Sequence, residues 1–405
     1  MSQTDITNGN RIALLDVLRG FAVSGILFCH FIKWHVSPFM DSMLRKDFSP
    51  LSDFVLNFNA IYLTDKFLFL FSFIFGISFS LQTVSLEKCT RHTDLWLLRR
   101  SLVLFLIGVI HYLFWFGDIL TVYALLMLPV ILIKRLNNKQ LLLIGVFLLL
   151  NIPGILARLY LAGAAKSGGE AHVLTGVDER VAKLYQVVTH GNLTDNIRFN
   201  FSFIRGRLSF LFWDGTFSVI LGFFCLGIYT ARQKLLLKVD SFKGKFFYIV
   251  TAGLFLLFGI HYCIAYALLQ VHFEPTLFSF IHSFLFCIQS IAGVATYFSL
   301  VVILSQNLSA SALMRSLGNL GKMALTNYLM HTLIGLSLFY YAGFGLFLVT
   351  TPAMNVCIAA VVICFQMLYT NFWLRYFNYG PVEYLLRSGT MWKRIPLKKT
   401  KFENN

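Results

Sequence analysis

Apolar runs long enough to cross a lipid bilayer recur along this chain, and they constrain its fold more than any motif does. They cover residues 12–32, 66–84, 97–116, 119–133, 141–160, 208–230, 246–269, 277–304, 323–344 and 352–374. A bilayer core takes about 20 helical residues to span. Inside lipid, each backbone N–H and C=O must be satisfied within the protein, which favours helices. The pattern predicts an all-α polytopic transmembrane bundle of about ten helices. Composition agrees, since 57% hydrophobic and only 13% charged residues lie far outside the soluble range.

Lys and Arg set the orientation, because short loops rich in them stay in the cytoplasm. Every second connection is basic: Lys88, Arg91, Arg99 and Arg100; Lys134, Arg135 and Lys139; Arg232, Lys234, Lys238, Lys243 and Lys245; Arg315 and Lys322. The tail adds Lys393, Arg394, Lys398, Lys399 and Lys401, so both termini are expected in the cytoplasm. The alternate connections are nearly free of these residues. The exceptions are a first outer loop with Lys33, Arg45 and Lys46 and the long segment 161–207. The net charge of +16 suits basic loops beside anionic headgroups, and nucleic acid is not implied as a partner.

The chain reads as one integral membrane domain over residues 1–405. Residues 161–207 are expected as an extracytoplasmic loop, with a short surface helix over 181–188. Residues 378–405 are expected as a cytoplasmic interfacial helix and basic tail. Pro381 suits the first turn of that helix, and Glu383 can pair with Arg387 at i, i+4. The first apolar run carries Asp16 and Arg19, so it is expected to stay as a helix rather than be cleaved. Seven cysteines show no CxxC or Cys/His ligand spacing, and no metal site is expected. No phosphate-loop, GxSxG or HExxH motif is present, which argues against ATP-driven pumping and borrowed soluble hydrolase chemistry.

Ionisable groups at membrane depth cost roughly 2.5 to 3.5 kcal/mol each on insertion scales, so those present carry information. The richest stretch runs from Arg99 and Arg100 through His111 to Asp118. Two arginines stand at one end of an apolar run, and a histidine and an aspartate stand at the other. A neutral His111 can take a proton from an acceptor hydroxyl or amine, or simply bond across helices to fix packing. Asp118 can orient it, or merely cap the helix it opens. Asp16 and Arg19 share a helix face at i, i+3, either as a self-contained ion pair or as part of a donor site. Arg99 and Arg100, with Lys88 and Arg91, can hold a donor's phosphates or simply set topology. Tyr123, Asp65, Asp214 beside Trp213, and His282 belong near the outer half, where they can line an acceptor cavity. Asn327 and His331, also at i, i+4, read as helix-bridging groups, and the aromatic run 67–79 as packing.

Five phrases in order carry a resemblance: Leu15-Asp16-Val17-Leu18-Arg19-Gly20-Phe21-Ala22; Phe71-Ser72-Phe73-Ile74-Phe75-Gly76; Arg99-Arg100 to His111 to Gly117-Asp118-Ile119-Leu120; Gly321-Lys322-Met323-Ala324-Leu325-Thr326-Asn327-Tyr328-Leu329; and Gly380-Pro381-Val382-Glu383 with Arg387. Together they resemble the YeiB-type bacterial membrane family over nearly the whole chain. The chain departs from that family at His30, Lys322 and His331, where Asn, Arg and Gln are usual. The first helix is also similar to that of transmembrane acyltransferases related to heparan-alpha-glucosaminide N-acetyltransferase.

That resemblance implies a protein of the bacterial cytoplasmic (inner) membrane. It further implies an acyl donor such as acyl-CoA, bound from the cytoplasm as a substrate rather than a tight cofactor, and an extracytoplasmic glycan or lipid acceptor. In that scheme His111 is the general base and Asp118 its orienting partner. Asp16, Arg19, Arg99 and Arg100 then serve the donor, and Tyr123, Asp214 and His282 the acceptor. Two other classes stand beside it: a secondary transporter using the same intramembrane groups, and a non-enzymatic scaffold. The partners expected are the bilayer, donor and acceptor, and a second copy of the chain in a homo-oligomer.

Overall fold

The computed structural model describes residues 3–34, 49–166, 177–213, 215–270, 275–308 and 311–399. These are helical nearly throughout and form an all-α bundle. α1 (Gln3–Cys29) runs on into a π-helical turn, His30–Trp34. α2 (Pro50–Phe58) and a second π-helical turn, Asn59–Leu63, lead to α3 (Lys66–Cys89), α4 (Thr93–Phe114) and α5 (Leu120–Ile133). α6 (Asn138–Leu149) opens on a capping box, in which Asn137 and Gln140 each accept the other's backbone N–H. α7 (Ile152–Lys166), α8 (Val177–His190), α9 (Leu193–Trp213) and α10 (Thr216–Arg232) follow. The chain then continues through α11 (Lys243–Gln270), α12 (Pro275–Asn307) and α13 (Ala312–Lys322). It ends with α14 (Ala324–Phe339), α15 (Pro352–Tyr376) and α16 (Pro381–Met391).

Among the described residues, six stretches are long and apolar enough to cross a membrane: Ala13–Ile32, Pro50–Cys89, Thr93–Phe114, Gly244–Cys263, Ser283–Asn307 and Pro352–Tyr376. α5, α6, α10 and α14 are shorter apolar helices. Their outward faces are what lipid requires. On α4, Leu95, Leu98, Leu102, Leu106 and Ile110 are 43% to 61% exposed at helical spacing. On α15, Val361, Phe365, Leu368 and Phe372 form a similar stripe. A soluble protein rarely exposes so continuous an apolar face.

Two expected spans are each interrupted. Residues 141–160 break between α6 and α7, where Asn151 adopts a left-handed backbone with φ of 52°. Residues 208–230 break between α9 and α10 at Gly215, with φ of 83°. The two breaks touch: a Cβ on Gly215 would fall 1.9 Å from Asn151 Oδ1. Asn and Gly are the residues that tolerate this backbone, and each break is set by that chemistry rather than by polarity. The segment 161–207 also differs from a loop. Its described residues are mostly helical, with α8 longer than the surface helix predicted within it and α9 beginning at Leu193.

Packing runs through the apolar faces. α3 meets α10 through stacked Phe69 and Phe223 and stacked Phe75 and Phe224, so much of the aromatic run is internal packing. α1 meets α13 backbone to backbone. A Cβ on Gly321 would lie 1.8 Å from the Asp16 carbonyl oxygen, and one on Gly20 2.0 Å from that of Leu317. Small residues permit such an approach, as they do in membrane helix pairs generally.

One end of the bundle gathers charge. Asp94, at the start of α4, meets Lys134 Nζ and Arg135 Nη2 at the end of α5, each at 2.5 Å. Arg232, at the end of α10, donates to the Leu136 carbonyl at 2.7 Å and to that of Lys134. The α4–α5 turn lies at the opposite end of α4 and joins two cores. Leu120 and Tyr123 belong to the larger, and Tyr112, Trp115 and Phe116 to the smaller.

Candidate functional site

α4 ends at Phe114, and the chain turns through Trp115 and Gly117 before α5 begins. The turn brings the last histidine of α4 beside the residue that opens α5. His111 Nδ1 and Asp118 Oδ1 are 2.7 Å apart, and both residues are buried, at 5% and 0% exposed. Asp118 also accepts the Leu120 N–H at 3.1 Å, the Thr121 N–H at 2.8 Å and the Thr121 hydroxyl at 2.5 Å. The carboxylate therefore caps α5 and holds the imidazole at once, joining the two roles its sequence position allowed.

The second imidazole nitrogen is engaged by another helix. His111 Nε2 lies 2.7 Å from Thr332 Oγ1 on α14, and Thr332 is 2% exposed. Hydrogen-bond logic assigns the tautomer, because a carboxylate with three other donors around it can only accept from Nδ1. Nδ1–H donates to Asp118, which leaves the Nε2 lone pair to accept from the Thr332 hydroxyl. A hydroxyl, an imidazole and a carboxylate thus lie in series. Such a series is chemically able to take a proton from oxygen, with the conjugate acid stabilised from behind, and equally able to bond helices together.

Further groups surround this series. Arg207 Nη2 of α9 donates to the Asp118 carbonyl oxygen at 2.6 Å, and its charge also acts on Tyr112 and Tyr328. Tyr328 sits one turn before Thr332 and packs its ring against His111, with centroids 5.2 Å apart. The Tyr112 hydroxyl is buried and has no hydrogen-bond partner among the described residues. His30 meets the Trp115 ring edge-on at 4.4 Å. Asn196 and Asn200 of α9 donate to the Phe114 and Leu113 carbonyls at 2.6 and 3.0 Å, which satisfies the end of α4.

The predicted donor residues lie toward other parts of the bundle. Arg19 Nη1 donates to Asp16 Oδ1 at 2.6 Å, and its Nη2 donates to Ser78 Oγ of α3 at 2.6 Å. Arg100 stacks over Trp96 and lies within electrostatic reach of Arg19 and Arg387. Arg99 instead stacks over Trp392, 5.5 Å from its ring centroid. Arg100 and His111 sit on the same helix, roughly 16 Å apart along its axis at 1.5 Å per residue. Tyr123 is buried, its hydroxyl 2.8 Å from Ser72 Oγ and donating to the Leu68 carbonyl at 3.1 Å, so it ties α5 to α3.

The pairing of Glu383 with Arg387 is replaced by another arrangement. Glu383 turns to the start of α14, where it accepts the Leu325 and Thr326 N–H groups at 2.7 and 3.1 Å and the Thr326 hydroxyl at 2.5 Å. A carboxylate at a helix N-terminus satisfies orphan donors and the helix dipole together, a stronger claim than an exposed ion pair makes. Arg387 stacks over Tyr379, 4.4 Å from its centroid. Burial raises the Glu383 carboxyl above the ordinary range, against the pull of the Thr326 hydrogen bonds.

Asp214 lies outside the described residues, and His282 belongs to α12 with its side chain undescribed. Asn327 and His331 do bridge helices. His331 Nε2 is 3.0 Å from Gln366 Oε1, while Asn327 Nδ2 donates to Thr370 Oγ1 at 3.2 Å, both on α15. Thr332, Arg207, Tyr112 and Tyr328 were missed in the sequence. The available signal for Thr332 was its i, i+4 spacing from Tyr328, a second polar face on α14. Among the described residues, no group of three or more His, Cys, Asp or Glu is placed to hold a metal ion.

Lipid-facing apolar stripes around a buried polar series define the class, a multi-pass helical membrane protein. The chain belongs to the family described as "Protein of unknown function (DUF418)", whose profile matches residues 230–393. It is 31% identical to "Uncharacterized protein YxaH" of Bacillus subtilis (strain 168), across 98% of this chain and 99% of that one. It is 26% identical to "Uncharacterized 39.9 kDa protein in amylase 3'region" of Bacillus acidopullulyticus, across 96% of each. An 84-residue stretch is 40% identical to "Uncharacterized protein YeiB" of Escherichia coli (strain K12), covering 21% of each chain. No solved structure matches.

Proposed function

We propose that this protein is a membrane acyltransferase of the bacterial cytoplasmic membrane, with both termini in the cytoplasm. It moves an acyl group from a cytoplasmic donor such as acyl-CoA to an extracytoplasmic glycan or lipid. The observation that carries this reading is the His111 imidazole, held by Asp118 at 2.7 Å on one nitrogen and facing a hydroxyl at 2.7 Å on the other. Acyl transfer to oxygen needs such a base, and a positioned imidazole contributes typically 10²–10⁴-fold. Arg19 and Arg100, within electrostatic reach of each other, offer guanidinium groups to donor phosphates. Asp16, bonded to Arg19, keeps that guanidinium oriented. Arg99, Tyr123, Asp214 and His282 keep the lesser roles of donor and acceptor contacts.

The test is direct. Purified protein in liposomes is given radiolabelled acetyl-CoA and a panel of glycan and lipid acceptors. Label is expected in an acceptor, and is expected to vanish in His111→Ala while persisting in the lipid-face variant Leu102→Ala. A second reading, a secondary transporter, draws support from the helix breaks at Asn151 and Gly215, since interrupted helices often frame solute sites. Protein-dependent uptake of an unmodified solute, with no label in any acceptor, would favour it.

A further inference from the structure

Resting on the acyl-transfer reading of the same site, we infer that Thr332 is a covalent nucleophile, and that transfer proceeds through an acyl-Thr332 ester. The side chains are already in series: Thr332 Oγ1 to His111 Nε2 at 2.7 Å, and His111 Nδ1 to Asp118 Oδ1 at 2.7 Å. Nucleophile, base and orienting carboxylate in hydrogen-bond reach are the signature of covalent acyl transfer, recognised by geometry and not by chain order.

The alternative for a helical threonine is a bond back to the carbonyl four residues earlier. Ser72, Ser78, Thr83, Ser290, Thr296, Ser337 and Thr390 all do this here. Thr332 does not among the described residues, and its hydroxyl is directed at the imidazole instead. The site is also deeply buried, with Thr332 at 2% and Asp118 at 0% exposed, which protects an ester from hydrolysis. Tyr112, the neighbour of His111 on α4, carries a buried hydroxyl without a partner among the described residues. A relay residue also suits a donor and an acceptor that approach from opposite sides.

The two half-reactions balance. In the first, Thr332 Oγ1 bonds the acyl carbonyl carbon while its proton passes to His111 Nε2. The tetrahedral centre collapses by breaking the C–S bond, and His111 returns the proton to the departing thiolate, giving free thiol and acyl-Thr332. In the second, an acceptor hydroxyl gives its proton to His111 Nε2 and bonds the same carbon. The Thr332 oxygen then leaves and recovers the proton.

The experiment uses the full chain in liposomes with radiolabelled acetyl-CoA, rapidly quenched before acceptor is added. Expected is one acetyl group on the peptide containing Thr332, stable to neutral hydroxylamine and released at alkaline pH, as an oxygen ester should be. It should be chased into acceptor, with parallel lines in double-reciprocal plots. Thr332→Val should lose both label and turnover by about 10²-fold or more, and Thr332→Ser should keep both, which separates chemistry from folding. Wild-type turnover without protein label, with intersecting kinetics and active Thr332→Val, would overturn the inference and leave acyl transfer standing. No transfer to any acceptor and no label on the protein would overturn both.

Discussion

Replacing Asp118 by Asn tests the site at its most connected residue. Asp118 Oδ1 serves His111 and the Leu120 N–H, while Oδ2 serves the Thr121 N–H and hydroxyl. An amide has one acceptor oxygen, so it can satisfy only one pair. With its oxygen toward His111, the new NH2 meets the Thr121 N–H, and the imidazolium formed in catalysis loses its counter-charge. With its oxygen toward Thr121, the NH2 meets the Leu120 N–H and forces His111 to accept at Nδ1. The ring then carries its proton on Nε2, and the base toward Thr332 is gone. Either orientation leaves one buried backbone N–H without an acceptor, worth about 1–3 kcal/mol of stability. The expected result is a fall in acetyl transfer of roughly 10²–10⁴-fold, with a melting temperature in detergent lower by only a few degrees. The assay is label transfer in proteoliposomes beside circular-dichroism melts. A folded Asp118→Asn protein with turnover within about tenfold of the parent would refute the series as a catalytic unit.

Three further outcomes follow from the packing. Gly321→Ala places a methyl group 1.8 Å from the Asp16 carbonyl oxygen, a backbone atom that cannot turn aside, so α13 must move off α1. The cost expected is about 1–3 kcal/mol or more, read from melts, and an unchanged melt would disprove the close approach. Arg207→Met leaves the Asp118 carbonyl without its donor and removes the nearby positive charge, and should cost about 1–3 kcal/mol and lower turnover. For Glu383 the sign matters: a folded carboxyl raised by burial binds its proton more tightly than the unfolded chain does. Its contribution to stability is full below the ordinary carboxylate range and is lost as pH rises through the higher folded value. Melts should therefore decline as pH rises above the ordinary carboxylate range, and Glu383→Gln should flatten that slope. An identical slope in the variant would assign the decline to other groups.

The sequence disclosed the spans because lipid demands a continuous apolar run, and it hid the breaks because hydropathy sums side chains and ignores φ. The residues responsible were visible all the same. Asn151 is followed by Ile152-Pro153-Gly154, a helix start, and Gly215 follows Asp214 in the middle of an apolar stretch. His111 and Asp118 could be paired from sequence because only a short turn separates them. Thr332 lies 221 residues from His111, and no local pattern reports so distant a partner.

α14 shows why that contact was nonetheless available to reasoning. Asn327 and His331 form one i, i+4 pair and face α15, where Thr370 and Gln366 receive them. Tyr328 and Thr332 form the next i, i+4 pair, rotated by one residue, and face α4 at His111. A lipid-exposed helix needs only one polar face, so two adjacent ones require polar partners on two neighbouring helices. The α15 partners, Gln366 and Thr370, could have come from several apolar helices with polar insertions. On the other face the choice was narrower, because His111 was already the strongest unexplained polar group at that depth. Glu383 then fixes the N-terminus of α14 through Leu325 and Thr326, so the helix that presents Thr332 is anchored at its start and on both polar faces. A hydroxyl held by that framework at 2.7 Å from an imidazole is therefore positioned by the whole helix.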